Sequence, residues 1–442
     1  MRKIYTVLLM SSLLLLTACD MLDIQPVGKV IPTTLTEYRA LLATAYKGVQ
    51  PTGGLASFRS DEVTVRDNSY DQSHYGQIER WDDYNYEEST TTFDWEKPYN
   101  GLFIANFIIE SHGGITEGTT QEVDQLVGES YLLRAYLHFK LVNLYGQPYT
   151  RAGAPDTKAV PLKLNSDVNE LLNRNTVGQI YESILSDITK AEELMTTEAW
   201  ETKYSYRFNV LSIPAFRSRV YLYMGKWNEA YNASEAVLAH KKELTDFHAA
   251  TVRVPNHYES LETINALDPV FNNLQHSAAC ASSALLAMYG EGDLRPAIYF
   301  KAADKDGNRF SNKSGYIEYR CTFRTGEMYL NAAEAAAQSD KLPQARTRLL
   351  ELMQKRYTAE AYAAKVTAVN SMDKSALVQE ILKERTRELA YEGHRWFDLR
   401  RTTRPRIEKV LKGGTFVLEQ DDPRYTIRIP RDAIAANPGL AN

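Results

Sequence analysis

Cysteine, histidine, long apolar runs and an excess of basic residues are all lacking in this 442-residue chain. The 3 cysteines and 8 histidines show neither the HExxH pattern nor the paired-cysteine spacing of a zinc site. Beyond the N-terminal segment no run of about 18 apolar residues occurs, so the sequence predicts no membrane-spanning helix there. Because 51 Lys and Arg residues face 56 Asp and Glu residues, we expect no nucleic-acid partner.

Sequence motifs of the common enzyme and cofactor sites are missing as well. The chain has no GxSxG, no GxGxxG after a strand and no phosphate-binding P-loop. We therefore expect no cofactor, no bound metal and no catalytic residue. The 56 acidic residues leave one alternative open, because a glycoside hydrolase needs only two carboxylates about 5 to 9.5 Å apart. No pair in the sequence stands out for that role.

Tyrosine, by contrast, is abundant, with 28 residues against 14 phenylalanines. A composition of 44% apolar and 24% charged residues is otherwise that of a globular protein. Tyrosine combines an apolar ring with a hydroxyl that needs water or a hydrogen-bond partner. The excess therefore indicates helices packed with polar-tipped rings, a surface that binds ligand through aromatic faces, or both.

The N-terminal segment has the layout of a lipoprotein signal. Arg2 and Lys3 form a short basic region, residues 7–16 are apolar apart from two serines, and Leu-Thr-Ala precedes Cys19. The apolar stretch is too short to span a bilayer. Small residues before a cysteine predict cleavage and acylation at Cys19, and several acyl chains anchor a protein better than one. The alternative is ordinary signal cleavage with Cys19 incidental.

This pattern divides the chain into three parts. We predict a signal peptide at 1–18, a lipidated tether at 19–34 and a single domain at 35–442, outside the reducing cytosol. Two cysteines remain in that domain, Cys280 and Cys321. In an oxidising compartment they either form a disulfide or stay as two separate buried thiols.

Apolar residues at helical spacing predict a mainly α-helical chain. The predicted helices cover residues 123–145, 176–194, 213–224, 227–240, 323–338, 342–355 and 376–391. Two pairs among them resemble tetratricopeptide-like hairpins, because Gly225 and Asp340 mark short turns that are each followed five residues later by an alanine. The segments 57–99 and 248–319 have a mixed composition, and we predict loop-rich insertions there.

One insertion combines aromatic and polar residues in a way that suits a sugar ligand. A flat aromatic face packs against sugar C–H groups, while neighbouring polar side chains bind the hydroxyls. The alternative is that these aromatic residues only fix the loop onto the helices. Tyr316 and Tyr319 are weaker candidates, and we assign Trp95 to packing. The candidate ligand-binding residues are Asn68, Tyr70, Tyr75, Trp81, Tyr84, Tyr86 and Tyr289.

The strongest local pattern lies at residues 384–401, which read ERTRELAYEGHRWFDLRR. Glu384, Arg387 and Glu388 are three and four residues apart, where opposite charges pair on a helix. The segment is either an anion or substrate site, or a buried charge network that joins the last long helix to its neighbours. We favour the network, because arginines among matched carboxylates usually satisfy one another.

This segment closely resembles the signature of the SusD/RagB family of outer-membrane nutrient-binding lipoproteins. Further family-like blocks follow one another in the expected order and cover the chain from Cys19 to its last residue. They include CDMLDIQPVGKV, WEKPYNGLFIANFIIE, GESYLLRAYLHFKLVNLYGQP, TVGQIYESILSDITKAEELM, FRSRVYLYMGKWNEAYNASEAVL, RTGEMYLNAAEAAAQSDKLPQA and IPRDAIAANPGL.

The resemblance implies a superhelix of four tetratricopeptide-like hairpins with irregular, ligand-binding insertions. It also implies a lipid-anchored protein of the outer membrane that faces the cell exterior and covers a SusC-like, TonB-dependent transporter. Such proteins bind glycans without chemistry, and some relatives bind peptides instead. Residues 240–290 look shorter than in the family, which affects any ligand contact made there. A protein–protein scaffold is a further alternative, which partly merges with the transporter partnership.

Overall fold

A computed structural model describes residues 32–83 and 87–441 of the chain. The predictions for Cys19, Tyr84 and Tyr86 therefore lie outside the described residues, as does the predicted signal peptide. Within the described ranges, no helix is both long and apolar enough to cross a bilayer.

The described chain is mainly helical, with a few short strands. The helices are α1 Leu35–Ala45, α2 Thr52–Ser57, α3 Ser69–Glu79, α4 Glu96–Ser111, α5 Thr120–Tyr145, α6 Val177–Leu194, α7 Ser212–Met224, α8 Trp227–Leu238, α9 Asn273–Ala278, α10 Ser283–Leu286, α11 Arg295–Tyr299, α12 Thr325–Gln338, α13 Leu342–Gln354, α14 Ala359–Ser371, α15 Lys374–Glu388, α16 Arg395–Arg401 and α17 Arg431–Ala436. The strands are β1 Val63–Val65, β2 Thr263–Asn265, β3 Ala279–Ala281, β4 Phe323–Arg324, β5 Ile407–Leu411 and β6 Gly414–Leu418.

The helix ends follow from local sequence signals. Helix α6 begins with a capping box, in which the Thr176 hydroxyl accepts the backbone N–H of Gln179 and the Gln179 side-chain oxygen accepts the backbone N–H of Thr176. Helix α5, the longest, begins with the same device at Thr119 and ends at Gly146. These predicted helices are confirmed to within a few residues.

The two predicted hairpins are present and pack against each other. Helices α7 and α8 form one and α12 and α13 form the other. Gly225 adopts a left-handed φ of +70° and Asp340 one of +61° at the two turns, and Ala230 and Ala345 are completely buried inside them. Because α8 also packs against α12, hairpins that are far apart in sequence become neighbours in the superhelix.

The segment after α15 departs from the prediction that a helix runs to residue 391. The helix ends at Glu388, and Tyr391 turns into a left-handed conformation with a φ of +61°. The backbone N–H of Tyr391 donates to the carboxylate of Glu62 instead of to a carbonyl of the preceding helical turn. Gly393 does not end a helix but lets the backbone approach Gly53, since an added Cβ would lie 2.8 Å from the Gly53 Cα.

Short antiparallel pairings join the two insertions to each other and the second insertion to the helical scaffold. Strand β1 pairs with β3, and β2 pairs with β4, which leads directly into α12. The segment 57–99 is not simply loop, because it contains the eleven-residue helix α3. Cys280 lies in β3 and Cys321 lies just before β4, and both are free and buried. The two cysteines are thus separate thiols.

Candidate functional site

The signature segment forms a buried charge network, as the sequence indicates. Glu388 lies 2.8 Å from Arg356, 2.9 Å from Arg324 and 3.4 Å from Arg295, with no solvent exposure of these side chains beyond 1%. Glu262 contacts Arg324 and Arg356 from a different part of the chain. Since each charge has a partner inside the protein, this cluster holds elements together and is not open to a ligand.

A second part of the network joins α15 and α16 to the scaffold. Arg385 of α15 binds Asp398 of α16 at 2.7 Å, and Arg401 of α16 binds Glu334 of α12 at 2.6 Å. The C-terminal helices are therefore fixed to the second hairpin by charge pairs that are shielded from water.

Glu62 is a buried carboxyl at the edge of this network. It is 1% exposed, and burial raises its pKa to about 7, because the hydrogen bonds from Tyr391 and Ser57 and the charge of Arg395 offset the burial only in part. A raised folded-state pKa means that the folded protein keeps a proton that the unfolded chain releases above its ordinary pKa of 4.5. The contribution of Glu62 to stability is thus complete below pH 4.5 and is lost as the pH rises to about 7.

We expect Glu62→Gln to stabilise the protein at alkaline pH but not in acid. Glutamine imitates the protonated carboxyl, so the advantage of the variant should grow by roughly 3 kcal/mol between pH 4.5 and 7 and then stay constant. Urea unfolding of both proteins at several pH values measures it. An equal pH dependence in the two proteins would contradict this interpretation, and Glu193→Gln, at an exposed position, serves as the control.

The aromatic segment around Trp81 is packed rather than open. Trp81 is 1% exposed, adopts a left-handed φ of +58°, and donates its indole N–H to the Arg59 carbonyl at 2.8 Å. The Nζ of Lys409 lies 5.4 Å from its ring. Tyr75 is buried too and stacks on Phe58. From the sequence we predicted that these two rings bind ligand in a polar loop. In the structure both rings are buried, and other groups of the protein pack against them.

The other candidates in and beyond this segment have mixed surroundings. Asn68 caps α3 by accepting the backbone N–H of Asp71, so its side chain has a structural task. Tyr70, in the first turn of α3, is 51% exposed and stacks on His74. The Tyr289 hydroxyl donates to the Arg387 carbonyl, which places that ring in packing. Among these three, Tyr70 presents the aromatic surface.

A different group of aromatic residues surrounds a cleft of about 610 Å³. We call it the aromatic cleft; His257 and Tyr319 line it, and the rings of Tyr258 and Tyr316 lie next to these two. The rings of His257 and Tyr319 are 6.0 Å apart, those of Tyr316 and Tyr319 are 6.3 Å apart, and Tyr258 stacks on His257 at 4.9 Å. Tyr316 is 49% exposed. Two rings of the cleft and two neighbouring rings therefore lie within one side-chain length of each other.

Two segments that are distant in the sequence form the cleft. The N–H of Tyr258 donates to the Glu318 carbonyl at 2.9 Å, and Asn256 Nδ2 donates to the Lys313 carbonyl at 2.7 Å. The pairing of β2 with β4 continues this alignment. The remaining wall comes from α11 and the chain before β2, and its apolar residues include Phe247, Val252, Val254, Leu294, Ala297 and Ile298.

Polar groups in the cleft are arranged to donate hydrogen bonds. His257 Nδ1 accepts the backbone N–H of Glu259 at 3.1 Å, so the neutral ring carries its proton on Nε2. Burial and the nearby charge of Arg253 lower the pKa of His257, which keeps the ring neutral at pH 7. Arg253 and Asn312 also line the cleft. Apolar walls, open rings and a few donors are the properties of a small-molecule site.

Comparison with known protein families covers most of the chain. A sequence model of a SusD-like family, described as "Starch-binding associating with outer membrane", matches residues 20–222, and the model of the SusD family matches residues 297–438. The chain is SusD-like over both of these ranges. The two matches follow in order and together take in most of α7, the second hairpin and the signature segment, whereas α8 of the first hairpin lies between them.

Individual SusD-like relatives agree with this assignment. SusD-like protein P38 of Formosa agariphila is 27% identical over 53% of this chain and 45% of its own length. The chain thus aligns with about half the length of the curated relatives that it matches. A SusD superfamily protein of Bacteroides thetaiotaomicron has a TM-score of 0.76 at 21% identity, covering 92% of this chain and 99% of its own. A laminarin-binding SusD-like protein has a TM-score of 0.62 at 19% identity, covering 84% and 92%.

Part of this SusD-like protein's aromatic cleft comes from residues that lie between the two family matches. His257 and Tyr258 fall in residues 223–296, whereas Tyr316 and Tyr319 fall inside the second match. From the sequence, Tyr316 and Tyr319 were weaker ligand-binding candidates than the residues around Trp81, and His257 was not a candidate. Only the pairing of β2 with β4 reveals their proximity, and strands of two or three residues have no reliable pattern in a sequence.

Proposed function

We propose that this SusD-like protein is a cell-surface lipoprotein that binds a glycan in the aromatic cleft and delivers it to a SusC-like, TonB-dependent transporter. The observation that carries the proposal is the cleft itself. Rings at different angles suit the C–H faces of successive sugar units, and the N–H groups of His257, Arg253 and Asn312 suit their hydroxyls.

The proposal extends to how the protein is held at the membrane. Acylation of Cys19 in the outer membrane, a tether at 19–34 and one binding domain at 35–442 form a unit that faces the cell exterior. The description of the family model as associating with the outer membrane supports this location. The printed name of the laminarin-binding relative supports a glycan as the ligand class, and Tyr70, Tyr84 and Tyr86 stay candidates for additional contacts.

We further propose that the protein binds its glycan without cleaving it. Among the described residues that line the cleft there is no Asp or Glu, whereas hydrolysis needs two carboxylates that flank the glycosidic bond. Glu259, two residues after His257 in the chain, forms an ion pair with Arg253 at 3.1 Å. This environment supports recognition over hydrolysis.

A binding screen tests the proposal directly. The chain from residue 20 onward is titrated by calorimetry with laminarin and starch oligosaccharides and with a set of short peptides, and reducing ends are assayed after long incubation. We expect binding of at least one glycan class, no peptide binding and no release of reducing ends. Binding of peptides alone would favour the peptide-binding alternative, and turnover of any glycan would favour a glycoside hydrolase.

A further inference from the structure

The loop between α5 and α6 exposes apolar side chains to an unusual degree. In residues 164–172, which we call the apolar loop, Val168 is 76% exposed, Leu171 is 78% exposed and Leu164 is also open to solvent. Single exposed apolar residues are common on protein surfaces. Three such residues within eight positions of one loop are a concentration of exposed apolar side chains, and exposed apolar surface of this kind marks interaction sites.

The apolar loop is held in place from the inside by its own polar groups. Lys163 Nζ, which is buried, donates to Asn165 Oδ1 at 2.9 Å, to Glu170 Oε2 at 3.0 Å and to the Asp167 carbonyl. Asn106 of α4 donates to the carbonyls of Lys163 and Asn165 at 3.0 and 2.9 Å. The polar atoms of the loop therefore turn inward while its apolar side chains face water. An ordered surface of this type loses little entropy when it binds a partner.

The loop lies at the end of the molecule where the described chain begins. The backbone N–H of Ser166 donates to the Glu110 carboxylate at 3.1 Å, next to the last residue of α4. The neighbouring Ser111 accepts the Tyr38 hydroxyl at 3.1 Å, and Tyr38 donates its N–H to the Thr34 carbonyl. One chain of contacts thus connects the apolar loop with the start of α1.

We propose that the apolar loop docks onto the extracellular side of the β-barrel transporter, with Val168 and Leu171 inserted into an apolar pocket of that protein. This inference rests on the proposed function, because the anchor at Cys19 defines which end of the molecule is near the membrane. The thirteen residue steps from Cys19 to Pro32 reach at most about 45 Å. A tether of this length keeps the start of α1, to which the loop is connected, within about 45 Å of the anchor and so within reach of a protein embedded in the same membrane.

The charges around the loop favour a protein partner over a lipid surface. Segments that bind membrane surfaces usually carry Lys and Arg beside their apolar residues. Residues 164–172 contain no Lys or Arg, the adjacent Lys163 is already paired with Glu170, and Asp167 and Glu110 add negative charge at the loop. The full chain carries a net charge of −5. A partner pocket with an apolar floor and a basic rim matches this pattern.

Cross-linking in cells and matched variants test the inference. A photo-cross-linking amino acid is placed at position 168, with position 410 as the control, since Val410 of β5 is exposed to 78%. In parallel, V168N/L171N and V410N full-length proteins are extracted in mild detergent and the transporter recovered with each is measured. We expect a barrel adduct from position 168 but not 410, and about tenfold less transporter with V168N/L171N than with V410N or wild type.

Each outcome separates this inference from the proposed function. If wild type recovers the transporter and V168N/L171N recovers it equally, the loop assignment is overturned and the partnership stands. If wild type recovers no TonB-dependent barrel, the partnership itself fails. Adducts of position 168 with lipid alone would overturn docking to protein in favour of membrane contact. Unchanged glycan binding by V168N/L171N in calorimetry shows that the variant is folded.

Discussion

Glu388→Ala is expected to destabilise the protein by about 3–5 kcal/mol, the usual effect of removing one partner from a buried ion pair. Glu388 contacts Arg295, Arg324 and Arg356 in a region without solvent access, so the substitution leaves three guanidinium groups short of one negative charge. Burial alone raises the pKa of Glu388, but Arg356 and Arg324 hold it well below its usual range. The carboxylate therefore stays ionised in the folded protein.

Urea unfolding at pH 7, followed by circular dichroism, measures the effect. Glu193→Ala provides the matched control, because Glu193 forms an exposed pair with Lys190 at 2.8 Å and exposed pairs contribute about 0.2–1 kcal/mol. Equal losses in the two variants would show that the buried network does not hold the C-terminal helices to the scaffold.

The pH dependence of the two carboxyls runs in opposite directions. Glu388 has a lowered folded-state pKa, so its contribution is present above pH 4.5 and is lost as the pH falls. Glu62 has a raised one, and its contribution is lost as the pH rises to about 7. Glu388 is the last residue of α15, and Glu62 accepts the backbone N–H of Tyr391 in the turn that follows. The combined contribution of the two carboxyls to the stability of the protein is therefore highest in a mildly acidic range, between the titrations of the two groups.

The sequence predicted the charge pairing within α15 but not the ion pairs that join α15 to other elements. Glu384, Arg387 and Glu388 share a helix, so their spacing alone indicated charge pairing. The partners Arg295, Arg324 and Arg356 come from α11, β4 and the end of α13, and nothing in the spacing of α15 points to them. Helical spacing specifies neighbours within one element, whereas pairing between elements depends on how the hairpins stack.

Aromatic residues illustrate the same limit for the binding site. Trp81 and Tyr75 lie among polar residues, and such a composition is equally compatible with an exposed platform and with an irregular segment packed around rings. The left-handed conformation of Trp81 turns its ring inward against Arg59 and Lys409. A sequence does not reveal that a single backbone angle takes this unusual value, and the burial of the ring follows from it.

The aromatic cleft was harder still to predict, because it joins segments about sixty positions apart through the short strands β2 and β4. Tyr316 and Tyr319 were visible as weak candidates, but their neighbours His257 and Tyr258 acquire meaning only beside them. The fold itself was readable because long helices carry periodic apolar patterns over many residues. Loops that form sites between helices carry no such pattern.

Replacing Tyr316 and Tyr319 together with Ala is expected to weaken glycan binding by about 10- to 100-fold. Tyr319 lines the aromatic cleft and Tyr316 lies beside it, and loss of a central aromatic contact typically costs about 2 kcal/mol or more. Neither hydroxyl is hydrogen-bonded to the protein core in the way that the Tyr136 hydroxyl binds Asp268, so the folded state should tolerate the change. Calorimetry with the glycan found in the binding screen measures the affinity, and urea unfolding checks the stability.

Tyr70→Ala is the matched comparison, because Tyr70 is exposed to 51% and Tyr316 to 49%, and the two lie in different insertions. If the cleft is the site, Tyr70→Ala keeps the affinity of the wild type. Trp81→Ala should instead lose about 3 kcal/mol or more of stability, since its ring fills the core, while its folded fraction still binds. The opposite result, in which Tyr70→Ala loses affinity and the double variant keeps it, would place the binding site at α3. Because Tyr70 and Tyr316 are equally exposed, a difference in exposure could not explain such a result.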